Sequence, residues 1–193
     1  MHPATFLAQF LKNPGVIGAV APSSRWLSRA MVKGLDLSQS KAVLEFGPGS
    51  GVFTDEILAR IGAQTKFLAI ERNATMAELL VTRYPLLRIV MGDASEAVSL
   101  AAEQGIEANS VDCILSGLPW PSFSDDLRTR ILEAAWSVLR PGGELRTFGY
   151  HCGLVMRGAW HFRREARRVF SSVTIGKVVW RNLPPAFVYS CRK

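Results

Sequence analysis

Four short stretches carry the residue types that could do chemistry. Glu45-Phe46-Gly47-Pro48-Gly49-Ser50-Gly51 closes an apolar run, and its glycines let the backbone turn sharply and approach a ligand with no Cβ in the way. Twenty residues beyond Gly51 stands Glu71, a carboxylate suited to a ribose whose two free hydroxyls want a double acceptor, with Arg72 beside it. Gly92-Asp93-Ala94 ends a third apolar run, where the acid can accept from an adenine amino group while Ala94 packs on the ring. Ser116-Gly117-Leu118-Pro119-Trp120 ends a fourth. A dinucleotide fingerprint would need glycine at position 52, where Val52 stands, so pyrophosphate is not expected. A bound adenosine group fits. Taken singly, each stretch also has a plain reading: a glycine-rich turn as a loop, an acid at a strand end as a helix N-cap.

The elements that must position these residues alternate along the chain. Ala42–Phe46 reads as a strand, followed after the glycines by Phe53, Ile57, Leu58 and Ile61 at helical spacing. Residues 67–70 make a second strand, then a helix capped by Asn73 with Met76, Leu79 and Leu80 as its inner face. Strands at 87–91 and 111–115 each lead toward a helix, at 94–104 and 125–139, the latter with Leu127, Ile131, Ala135 and Val138 inward. Pro141-Gly142-Gly143 should end that helix before a fifth strand at 145–150. A helix at 158–170 and strands at 173–180 and 186–191, joined by Asn182-Leu183-Pro184-Pro185, complete the chain. Apolar strands without clean alternation, separated by amphipathic helices, predict an α/β, doubly wound, mostly parallel seven-stranded sheet ending in an antiparallel hairpin. Ligands of such sheets sit beyond the carboxyl ends of the strands, where all four stretches fall.

With 193 residues, one catalytic-sized domain is expected over 36–193, preceded by a helical arm over 1–35. The 48% hydrophobic and 20% charged fractions exclude a disordered chain, and the longest run of apolar residues and glycine, the seven from Gly15 to Ala21, is too short to span a bilayer. The N-terminus lacks a basic n-region, and Cys113, Cys152 and Cys191 form no short-spaced pair, so a cytoplasmic, reducing location is expected. His2, His151 and His161 give no metal spacing with them, and no metal is expected.

Net charge is +7, but its placement says more. Residues 1–41 carry five Lys/Arg against one acid, 42–139 carry seven against thirteen, and 140–193 carry eleven against two. Basic ends flanking an acidic middle suit one surface meeting a polyanion, either an anionic lipid leaflet or nucleic acid. Residues 3–12 place Phe6, Leu7, Phe10 and Leu11 on one side of a short amphipathic helix without an acid, fit to lie in a membrane interface or to close over the sheet as a lid.

Glu45 to Gly51, Glu71 and Asp93, with Leu139-Arg140-Pro141-Gly142-Gly143 before the fifth strand, resemble the class I S-adenosylmethionine-dependent methyltransferases over residues 42–150. Phe6 to Ser24, Ser116-Gly117-Leu118-Pro119 and Arg181-Asn182-Leu183-Pro184-Pro185-Ala186 further resemble the bacterial phospholipid N-methyltransferases and their ornithine-lipid-methylating relatives. The resemblance implies a Rossmann-like fold and S-adenosylmethionine as methyl donor, leaving S-adenosylhomocysteine. It implies cofactor contacts from Glu45, Gly47, Gly49, Ser50, Gly51, Glu71, Arg72, Asp93, Ala94 and Ser116. The acceptor is then the amine of phosphatidylethanolamine or an ornithine lipid, met from the cytosolic face of the membrane. Tyr150, Ser116 and Trp120 are the expected catalytic contacts, the aromatic rings holding a methylated ammonium. Ser23, Ser24, His151, Arg181 and Asn182 are expected to bind substrate, Arg181 gripping phosphate or carboxylate; Ser24 also reads as the N-cap of a helix from Arg25. The rival resemblance is to the rRNA adenine dimethylases, whose Asn-Leu-Pro-aromatic signature orients the target amine. Gly117 replaces that Asn, which puts base methylation second, and nucleic acid is not the expected partner. A peripheral membrane-binding protein without catalysis is a third reading.

Overall fold

A computed structural model describes residues 23–152 and 157–193 of the chain. The expected N-terminal amphipathic helix at 3–12 lies outside the described residues. Helix α1 (Arg25–Val32) leads into strand β1 (Ala42–Phe46), helix α2 (Val52–Leu58), β2 (Lys66–Glu71), α3 (Ala74–Arg83), β3 (Arg88–Met91) and α4 (Ala97–Glu103). There follow β4 (Val111–Ser116), α5 (Asp125–Val138), β5 (Leu139–Tyr150), α6 (Arg157–Val169), β6 (Ser172–Ile175) and β7 (Ala186–Arg192).

The seven strands form one sheet in the order β3-β2-β1-β4-β5-β7-β6. The first five run parallel, and β7 inserts antiparallel between β5 and β6. Buried positions run unbroken through β1, as expected of a strand covered on both faces. One apolar cluster lies on each face: Leu44, Phe46, Ile114, Leu132 and Phe187 on one, Leu27, Met31, Val43, Ile57 and Leu115 on the other. The strand order reverses between β1 and β4, so the crevice at their carboxyl ends is the topological switch point.

Several boundaries differ from the sequence expectation for physical reasons. Pro141-Gly142-Gly143 does not follow α5 as a free turn: β5 already begins at Leu139 and pairs Val111, with the register slipping between Val111 and Cys113 to absorb the bend. The strand expected at 173–180 stops at Ile175, and only an isolated Val179–Ala186 bridge resumes the pairing. In α3 the buried positions are Ala77 and Leu80, whereas Leu79, two residues on from Ala77 and so on the far side of the helix, is exposed.

Candidate active site

The turn after β1 is built by three left-handed glycines at alternate positions: Gly47, Gly49 and Gly51 have φ of 64°, 54° and 81°. Gly47 donates to the Ile70 carbonyl at 2.9 Å, and Gly117 donates to the Phe46 carbonyl at 2.8 Å, which draws the ends of β1, β2 and β4 together. A Cβ at Gly117 would stand 2.5 Å from the Gly47 carbonyl oxygen, so on this backbone the position accepts glycine alone.

Glu71, at the end of β2, is nearly buried and fastens the loop from below. Its Oε2 accepts the Gly49 N–H at 3.0 Å and its Oε1 accepts the Asn73 N–H at 2.9 Å. Each oxygen keeps a further lone pair for a diol. Asp93 follows β3 and caps the 3-10 turn Ala94–Glu96 through the Ser95 N–H at 2.9 Å. Partial burial pushes its pKa up, but the Ser95 backbone and side-chain hydrogen bonds and the Arg72 guanidinium, 3.7 Å away, hold it below the usual carboxylate range. It is therefore a permanent acceptor, and the cap and the ligand-acceptor readings are compatible. Gly47, Glu71, Asp93, Ala94, Leu118 and Leu127 line a cavity of about 360 Å³ whose walls are apolar and whose acids stand at one side. A larger groove of about 670 Å³ opens among 38–42, 62–66 and 105–110, at the amino ends of the strands, away from the glycine loop and both acids.

Three residues that the sequence did not single out hold the loop from behind. The Tyr84 hydroxyl, just after α3, bonds the Gly51 carbonyl at 3.2 Å and the Asp55 carboxylate at 2.6 Å. Arg83 donates to the Ser50 carbonyl at 2.8 Å and pairs with Asp55 at 2.5 Å. A Cβ on Gly51 would meet the Tyr84 hydroxyl at 2.8 Å. Arg83 and Tyr84 lie 33 residues from the loop positions they bond, so no local spacing announces them.

Glu45 is fully buried under the same loop. Its Oε2 accepts from the Thr54 hydroxyl at 2.7 Å, while Oε1 has no partner among the described residues. Burial pushes its pKa up to about 8, against the pull of the Thr54 hydrogen bond. An orphaned acid oxygen beside a glycine cradle, with two more acids on the next strand ends, is a donor set that fits a group carrying an amine, a ribose and a purine.

The acceptor-side expectations are sorted by the packing. Trp120 is corrected: only 2% exposed, its indole N–H donates to Thr147 Oγ1 at 2.8 Å and its ring packs against Phe162 and Phe123, so it belongs to the core and offers no face to a ligand. Ser116 is also fully buried, its hydroxyl accepting the Leu118 N–H at 3.3 Å, which shapes the turn after β4. Asn182 is corrected as a substrate contact: it is buried, its Oδ1 accepts the Ser24 N–H at 2.9 Å and its Nδ2 donates to the Pro184 carbonyl at 2.7 Å. Ser24 is the N-cap of α1, accepting the Leu27 N–H at 3.3 Å, and Ser23 precedes it, half-buried. Asn182 thus staples the β6–β7 connection to the start of α1. Tyr150 ends β5 half-buried, edge-on to Phe148, and burial raises its pKa, so its hydroxyl stays neutral at physiological pH. His151 is exposed and meets the Trp180 ring at 5.5 Å. Arg181 is exposed, its guanidinium 4.5 Å over the Trp26 ring.

Among the described residues, the ligand atoms of Asp125, His161 and Glu165 lie within 4.8 Å of one another. The cation between the two acids is Arg128, whose Nη1 donates to Asp125 at 2.8 Å and Glu165 at 3.3 Å.

A family described as a methyltransferase domain matches residues 43–143. Over 190 residues, 97% of this chain and 94% of the relative, the sequence is 34% identical to an ornithine lipid N-methyltransferase from Singulisphaera acidiphila. A probable ribosomal RNA small subunit methyltransferase A from Thermococcus gammatolerans is 43% identical over 65 residues, a third of this chain and 22% of that one. Among solved structures, a SAM-dependent methyltransferase from Aquifex aeolicus superposes with a TM-score of 0.62 at 16% identity, covering all of this chain and 98% of the other. A TehB-like SAM-dependent methyltransferase from Corynebacterium glutamicum gives 0.63 at 15% identity over the whole of both chains.

Proposed function

The chain belongs to the S-adenosylmethionine-dependent methyltransferases, and we propose that it transfers methyl groups to the amine of a membrane lipid headgroup, phosphatidylethanolamine or an ornithine lipid. The reading is carried by similarity to an ornithine lipid N-methyltransferase along nearly the entire chain, whereas similarity to the ribosomal RNA enzymes extends over half of it or less. Gly117 supports it independently: the crowding against the Gly47 carbonyl leaves no room for the side-chain amide with which a base methylase orients its target.

When bound, S-adenosylmethionine supplies a methyl group activated by its sulfonium charge. Glu71 takes the ribose and Asp93 the adenine amine, with Ala94 against the purine and the loop from Gly47 to Gly51 under the amino-acid part. Glu45, next to that loop, offers its free oxygen. Ser116 and Gly117 hold the turn that faces the acceptor. The nucleophile must be a neutral amine; for an amine resembling lysine, deprotonation at pH 7 costs about 4 to 5 kcal/mol. A neighbouring positive charge and partial desolvation both lower that cost. The Tyr150 ring is assigned to hold the methylated product by cation–π attraction. Arg181 takes the headgroup phosphate or carboxylate, since among the described residues no acid is paired with it. Orientation alone can supply roughly 7 to 11 kcal/mol of the barrier in favourable cases, so no dedicated base is required.

On this reading the protein works at a membrane surface; among the described residues no helix is long and apolar enough to cross a membrane. Incubation with labelled S-adenosylmethionine and detergent-dispersed phosphatidylethanolamine, ornithine lipid or ribosomal RNA tests the reading. Label should enter the organic phase with one of the lipids; label in RNA alone refutes it.

A further inference from the structure

The β6–β7 connection and the start of α1 form one surface, because Asn182 bonds Ser24, the residue that caps α1. On that surface the Trp26 ring carries Arg181 at 4.5 Å and Arg25 at 5.1 Å, and Arg29 approaches at 5.8 Å. Arg29 is partly neutralised by Glu56 at 3.5 Å; among the described residues neither Arg25 nor Arg181 is paired with a carboxylate. Beside these charges Trp180 and Leu183 stand 69% and 58% exposed, two large apolar side chains on one short connection. Soluble surfaces scatter such residues singly, and their pairing at a loop tip next to unneutralised arginines calls for a partner that is apolar and anionic at once. Trp180 also meets His151, directly after the end of β5, so the patch lies at the carboxyl end of the sheet where the acceptor must enter.

The geometry points to this tip as the docking surface for an anionic phospholipid bilayer: Trp180 and Leu183 insert among the headgroups while Arg25 and Arg181, braced on Trp26, meet the phosphates. The inference rests on the lipid-methylation reading and deepens it by assigning a membrane contact to folded elements of the domain. An indole is suited to the headgroup level, and each arginine near an anionic leaflet contributes about 1 kcal/mol. Docking in this orientation presents headgroups to the end of the sheet that holds Glu71 and Asp93, so a lipid needs to rise only partly from the leaflet to be methylated.

The test compares the full chain with a variant carrying Arg25→Glu, Trp180→Ser and Leu183→Ser. Sedimentation with vesicles of phosphatidylcholine and phosphatidylglycerol should show affinity weakened on the order of tenfold or more. S-Adenosylhomocysteine binding should be unchanged, which establishes that the variant is folded. Vesicle binding equal to wild type overturns the assignment, as does a wild type that ignores vesicles or that prefers a ribosomal RNA fragment to them. A second measurement needs only Trp180→Phe: brominated acyl chains should quench tryptophan emission strongly in wild type and much less in the variant, and undiminished quenching overturns the proposal. Failure of wild type to methylate detergent-dispersed lipid would instead remove the reading on which the surface rests, and the vesicle data would show this separately.

Discussion

The Glu71 carboxylate and the Gly49 amide, 22 residues apart in sequence, are joined by a 3.0 Å hydrogen bond, and the other Glu71 oxygen holds the Asn73 amide. One side chain thereby locks the glycine loop after β1 to the first turn of α3. In Glu71→Gln the new amide N–H faces a donor, so one of the two bonds is lost. Hydrogen bonds to a charged group contribute about 1.5 to 3 kcal/mol, which predicts S-adenosylhomocysteine affinity weakened roughly tenfold to hundredfold by calorimetry. Gly49→Val, a β-branched residue forced to a φ of 54°, should abolish that binding. Wild-type affinity in either variant would count against the loop assignment.

Tyr84 and Arg83 touch the loop only from outside the cavity, and their removal tests positioning rather than contact. Tyr84→Phe loses the bonds to Gly51 and Asp55. The KM for S-adenosylmethionine should rise about fivefold, the equivalent of one neutral hydrogen bond, with kcat little changed. A fall in kcat at unchanged KM would place Tyr84 in the chemistry instead.

Buried Glu45 makes the ligand-free protein sensitive to rising pH. Its carboxyl ionises near the ordinary value of 4.5 when unfolded, but burial holds it protonated to about 8 in the fold. The unfolded chain therefore binds fewer protons between these values, so this group's contribution to stability is complete below pH 4.5 and lost as pH climbs toward 8. The slope is at most about 1.4 kcal/mol per pH unit. Chemical denaturation across the window should show Glu45→Gln with a flatter profile than wild type; parallel profiles would mean Glu45 is ionised in the fold.

Arg181 and Asn182 are adjacent, yet their substitutions should separate cleanly. Asn182→Ala leaves the Ser24 amide and the Pro184 carbonyl without their partners, costing about 2 to 4 kcal/mol and lowering Tm. Arg181→Ala, which removes an exposed side chain, should leave Tm nearly unchanged and raise the KM for the lipid. If Asn182→Ala melts like wild type while its lipid KM rises, the residue contacts substrate after all.

The strand-loop-helix order, the glycine turn, Glu71 and Asp93 at successive strand ends and the antiparallel hairpin could all be read from the sequence, because each is written in spacings of a few residues that backbone geometry makes decisive. Asn73 and Ser24 announced their caps for the same reason. What a residue beyond those local patterns touches was settled only by the fold. Trp120 and Asn182 sit in suggestive motifs, but a parallel sheet covered on both faces draws the indole into the core against Thr147, and the β5–β7 pairing brings Asn182 to the cap of α1. The clamp of Arg83, Tyr84 and Asp55 and the arginines around Trp26 depend likewise on contacts between distant segments. Such contacts follow from which surfaces the packed layers leave facing one another, and no periodicity along a single strand or helix encodes that.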